Sequence, residues 1–141
     1  METINFRRVV LGGMLSGVVL ILLAAASTAL FLGQQELRMM VQALQPHTSG
    51  SVAPLFFILA FLFIGILMTW WYAAIRPRFG PGPKTAAIAA LAVWVTAIGL
   101  VLESVAVYKP GLNLPAGPLW PMLYLGMMTA STVAGASVYR E

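Results

Sequence analysis

The sequence predicts an all-α fold: an integral membrane four-helix bundle with both termini inside. Three observations lead there. Of its 141 residues, 60% are hydrophobic and only 9% charged, against about 25% charged in a soluble domain, so the chain cannot build a water-facing shell around its own core. Four apolar segments, residues 9–32, 52–75, 85–108 and 119–139, come close to or exceed the roughly 20 residues that cross about 30 Å of hydrocarbon as helix. Arg7, Arg8, Arg76, Arg78, Lys84 and Arg140 fall on one side of that arrangement, and only Arg38 and Lys109 on the other. The cation-rich side is the cytoplasmic one.

The first segment follows Arg7 and Arg8, as the apolar part of a signal peptide would. A signal peptide holds only about 7–15 apolar residues there, so residues 9–32 are expected to remain as a helix, despite the small residues at 24–27 that a peptidase could accept. Next, Leu37, Met40, Val41 and Leu44 share one helical face over residues 34–45, with Glu36, Arg38, Gln42 and Gln45 mostly elsewhere. That spacing predicts a short external amphipathic helix at the membrane surface or against a partner, or equally a helical extension of the first segment that covers the top of the bundle, stopped in either case by Pro46.

The second segment, "VAPLFFILAFLFIGILMTWWYAAI", is bulky and is expected to face lipid or a larger partner. Helices are preferred to strands throughout because backbone polar groups in lipid must be satisfied within the segment. The turn "IRPRFGPGPKTA" follows, with Gly80 and Gly82 free to take positive φ and Pro83 suited to opening a helix. The third segment carries one carboxylate, Glu103, about five residues from Tyr108 at its external end. The fourth ends at Tyr139. Trp70, Trp71, Tyr72, Tyr108, Trp120 and Tyr139 mark the expected membrane boundaries. The whole chain, 1–141, reads as one transmembrane domain.

Chemistry is scarce. There is no cysteine, the only histidine (His47) lies between segments, and the acids number four. No metal site, thiol nucleophile, cofactor site or catalytic residue is expected, and the chain is not expected to be an enzyme. "GPGPKT" ends like a phosphate loop, but Pro81 and Pro83 have no N–H to offer and proline replaces the glycine before Lys84. The net charge of +4 is explained by the flanks of apolar segments, so nucleic acid is not an expected partner. Arg76, Arg78 and Lys84 are instead expected to contact anionic lipid headgroups or a partner's carboxylates.

Small residues carry the packing signal. Gly13-x-x-x-Gly17 and Gly12-x-x-x-Ser16 lie in the first segment, Ala130-x-x-x-Ala134 and Ser131-x-x-x-Gly135 in the fourth, and Ala86, Ala89, Ala90 and Ala97 in the third. Such spacing lets helix backbones approach closely in lipid.

The stretches "INFRRVVLGGMLSGVV" and "WYAAIRPRFGPGPKTAAIAALAVW" resemble a group of small uncharacterised four-helix bacterial integral membrane proteins. The resemblance implies the bacterial cytoplasmic (inner) membrane and no particular activity. Small multidrug exchangers would place a carboxylate in the first membrane helix, and none is there. The expected function is that of a non-catalytic accessory subunit, packing among membrane lipids in or beside a larger membrane protein complex (an energy-transducing respiratory or photosynthetic one being one case) or in a homo-oligomer. The alternative is a small oligomeric transporter or channel using Glu103, whose bland reading is a carboxylate facing interfacial water or paired with Lys109 or Arg38.

Overall fold

Unbroken runs of Leu, Ile, Val, Ala and Phe with almost no interior charge satisfy their backbone most simply as helix. The computed structural model, which describes residues 4–31, 53–108 and 119–139, has four: α1 (Phe6–Phe31), α2 (Ala53–Phe79), α3 (Pro83–Tyr108) and α4 (Leu119–Val138). No strand occurs among the described residues. The expected amphipathic segment at 34–45, His47, Arg38, Lys109 and Arg140 lie outside them, as does the side chain of Glu103.

Two helix ends moved from their expected places, each for a local reason. The start of α1 lies at Phe6 because Asn5 caps it: the Arg8 N–H donates to Asn5 Oδ1 at 3.2 Å, and the Val9 N–H to the Asn5 carbonyl at 3.0 Å. Arg7 and Arg8 therefore sit inside the first turn rather than before it. α2 does not stop at Ile75 but runs through Pro77 to Phe79. Gly80 then ends it in a left-handed conformation, φ 79°, with its N–H donating to the Arg76 carbonyl at 2.8 Å. This single bond back across the last turn is a common helix stop that glycine adopts without strain. Gly82, at φ 141°, accepts from the Ala86 N–H at 3.2 Å, and Pro83 opens α3 where its missing N–H costs nothing. The Thr85 hydroxyl reaches back to donate to the Gly80 carbonyl at 2.6 Å. The turn expected over residues 76–84 is thus only three residues long, and Arg76 and Arg78 belong to helix.

α1 packs chiefly on α2 and α4, α3 also lies between α2 and α4, and α2 meets α4 across the middle. Two apolar layers result. One, around Val9, Tyr72, Ala73, Ala86, Ala89 and Tyr139, lies at the end where the α2–α3 turn sits. The other, around Leu20, Phe61, Met68, Ala90, Val93, Met127 and Met128, fills the next stretch. The Trp94 indole N–H ties α3 to α4 by donating to the Pro121 carbonyl at 2.9 Å. Among the described residues, two helices contain stretches long and apolar enough to cross a membrane: Phe6–Ser27 with mean hydropathy 2.5 and Leu55–Phe79 with 2.2.

Candidate functional site

Between the two apolar layers α1 touches both neighbours through glycine. Gly13 and Gly17 face α2, where a Cβ built on Gly13 would stand 2.5 Å from the Ile66 Cα and one on Gly17 2.7 Å from the Leu62 Cα. The receiving position on α2 is Gly65, whose own Cβ would meet the Gly13 carbonyl oxygen and the Gly17 amide. One residue round the helix, Gly12 and Ser16 face α4. Cβ atoms on Gly12 and Gly135 would each lie 2.6 Å from the other's carbonyl oxygen. A side chain at either glycine would thus push the two backbones apart, which is why small residues mark close helix crossings.

This corrects two expectations about packing. The bulky second segment is not simply an outward face: Gly65, hidden among Phe and Ile, makes it the main seat of α1. On α4 the register is Ser131-x-x-x-Gly135, both buried, whereas Ala130 is exposed and Ala134 half-buried. A helix presents one narrow line of small residues to a crossing partner, and Ala130 lies off it. Ala86, Ala89 and Ala90 are fully buried as expected, and Ala97 is half-buried.

Hydroxyls surround the crossing. Thr132 donates to the Met128 carbonyl at 2.7 Å and lies 3.2 Å from the Met68 sulfur; Ser131 donates to the Met128 carbonyl at 2.9 Å. Returning the proton to the helix's own carbonyl is how Ser and Thr tolerate burial in a helix. Ser16 and Thr69 are also fully buried, and their oxygens have no hydrogen-bond partner. Both flank Gly135: its Cβ would lie 2.9 Å from the Ser16 Cβ and 2.9 Å from the Thr69 Oγ1. Glycine there leaves just room for them.

At the turn end a half-open cavity of about 370 Å³ lies among α2, α3 and α4. Tyr72, Arg76, Gly82, Ala86, Val133 and Tyr139 contribute to its lining. Tyr72 and Tyr139 are buried in the bundle, packed edge to face with centroids 6.4 Å apart at 87°. Trp70 and Trp71 remain exposed as expected. The Tyr72 hydroxyl accepts from the Gly82 N–H at 3.3 Å, pinning the turn to α2. The Arg76 guanidinium carbon stands 5.7 Å from the Tyr139 ring centroid, within cation–π range. The sequence grouped Arg76 with Arg78 and Lys84; the fold separates them. Arg76 is half-buried in the cavity wall, while Arg78 and Lys84 are exposed and outside it. No signal in the sequence distinguished the three, because the distinction depends on α4 arriving beside Arg76.

Chemically, the cavity lining combines a guanidinium, two tyrosines, the Ser137 hydroxyl and an apolar wall, a set suited to holding an anionic amphiphile. Among the described residues no three His, Cys, Asp or Glu side chains converge as they would around a metal ion. Compared with protein-family models, curated proteins and solved structures, the chain matches none.

Proposed function

We propose that the chain is an integral membrane four-helix bundle, N-in and C-in, that serves as a non-catalytic subunit packed beside a larger membrane protein complex. Membrane insertion is supported by exposure. Large apolar side chains of both spanning stretches face outward, among them Leu11, Leu22, Phe56 and Phe63, where a water-soluble monomer would bury most of them. Arg7 and Arg8 add to this. Cations in the first turn of a helix oppose its dipole at a cost of about 0.3–1 kcal/mol each, which a need for inside charge accounts for.

The packing role rests on one observation. Along the first turns of α2, residues 55–60 are exposed on every side, including Phe56 and Phe57, and Phe63 continues the surface. Large rigid aromatics exposed around a helix suit a protein neighbour, which repays their burial by dispersion contact.

The test is extraction of tagged chain from its native membrane. The chain is expected to resist carbonate and, in mild detergent, to migrate in an assembly much larger than its own 15.1 kDa. Phe56→Ala combined with Phe63→Ala should release it from that assembly without unfolding it. Release by carbonate would overturn the membrane reading; a carbonate-resistant chain that migrates alone would overturn the packing role.

A further inference from the structure

The cavity at the turn end combines features that neither membrane insertion nor packing beside a partner requires. Its lining includes Arg76, whose guanidinium carries several N–H donors in a fork that matches phosphate oxygens and can serve more than one partner. Stacking near the Tyr139 ring at 5.7 Å holds that fork in place. Next to it, the Tyr72 hydroxyl accepts from the Gly82 N–H. A phenol that accepts still has its own proton to donate. The lining is also apolar at Ala86, Val133 and Ala136, and Val133 is 38% exposed, so the apolar wall opens onto the outer surface of α4. At about 370 Å³ the cavity sits at the low end of ligand sites, roughly 300–1,000 Å³. It suits a headgroup and the start of a chain rather than a whole two-tailed lipid.

We propose that this cavity binds one anionic phospholipid, its phosphate held by the Arg76 guanidinium and the Tyr72 phenol, and an acyl chain leaving along Val133 and Ala136. The site rests on the reading that the helices cross a membrane with this end at the cytoplasmic leaflet. Arg78 and Lys84 then contribute only general attraction to a charged surface, while Arg76 discriminates.

Native mass spectrometry of the purified full chain in detergent tests it, with phosphatidylglycerol, phosphatidylcholine and inorganic phosphate as probes. The expected result is a single phosphatidylglycerol bound at least tenfold more tightly than phosphatidylcholine. Arg76→Gln should erase that preference, and Tyr72→Phe should reduce it several-fold. The paired Arg78→Gln, Lys84→Gln variant should keep it. Val133→Phe, which fills the wall and leaves every charge in place, should lose phosphatidylglycerol even if Arg76→Gln proves too unstable to measure. Equal binding of the two lipids, or loss in the Arg78–Lys84 variant with retention in Arg76→Gln, overturns the site. Inorganic phosphate competing at the same concentration as the lipid overturns its assignment to a phospholipid. These outcomes are read on the isolated chain, so they stand apart from carbonate resistance and complex migration, on which the functional reading depends.

Discussion

Replacing Gly65 by alanine adds one methyl, yet that methyl has nowhere to go. It would land against the Gly13 carbonyl oxygen and the Gly17 amide nitrogen, and 2.7 Å from the Gly17 Cα. Unstrained carbon contacts lie at about 3.5–4.0 Å, so α1 must withdraw from α2 by about 1 Å. A gap of that size forfeits a quarter to a half of each dispersion contact along the seam, and overpacking of this kind costs about 3 kcal/mol at the upper end of its usual range. Alanine returns about 1 kcal/mol through its better helix propensity, leaving a net loss of about 2 kcal/mol. Gly126, also within a helix, has no atom within 4 Å of its built Cβ, so the same change there keeps the gain of about 1 kcal/mol. At about 3 °C per kcal/mol for a chain near this length, Gly65→Ala should melt about 6 °C lower and Gly126→Ala about 3 °C higher. Thermal melts in one detergent, followed by tryptophan fluorescence, measure both. If Gly65→Ala melts at or above the parent while Gly126→Ala behaves as expected, α1 does not cross α2 at Gly65.

Other substitutions probe the same interior. Ser16→Ala removes a buried, unpartnered hydroxyl and should be neutral or stabilise by up to about 1 kcal/mol, whereas Thr132→Val loses a made bond and should cost about 1 kcal/mol; comparable losses from both in the same melts would mean that Ser16 does have a partner. Gly17→Leu should disrupt the bundle, with its built Cβ already 2.7 Å from the Leu62 Cα, while Leu59→Ile on the exposed part of α2 should be silent; an unaltered melting temperature for Gly17→Leu counts against the α1–α2 seam. For Glu103, a non-catalytic subunit predicts that liposomes holding the purified chain show no proton or cation flux, with or without Glu103→Gln. Flux that vanishes in the variant would establish the transport alternative.

Chain chemistry alone determined the helices and their punctuation. Apolar runs of this length have few ways to satisfy their backbone, so four helices followed from composition, and the positive-φ glycines of the α2–α3 turn followed from Gly80 and Gly82 lying between prolines. These are local matters, decided within a few residues. Local pattern also narrowed α1 to its two small-residue faces, Gly12/Ser16 and Gly13/Gly17. Tertiary structure decided which helix each face meets. Gly65 drew no notice inside "LFFILAFLFIGIL", because a single glycine becomes a contact point only when α1 crosses there. Ala130 and Ser131 are equally small neighbours on α4, and only the crossing with α1 made Ser131 and Gly135 the buried pair. In the same way only the meeting of α2 and α4 turned Tyr72 and Tyr139 toward each other and set Arg76 over the Tyr139 ring. Contacts between residues from opposite ends of the chain depend on the relative placement of whole helices, and no spacing within one segment encodes that placement.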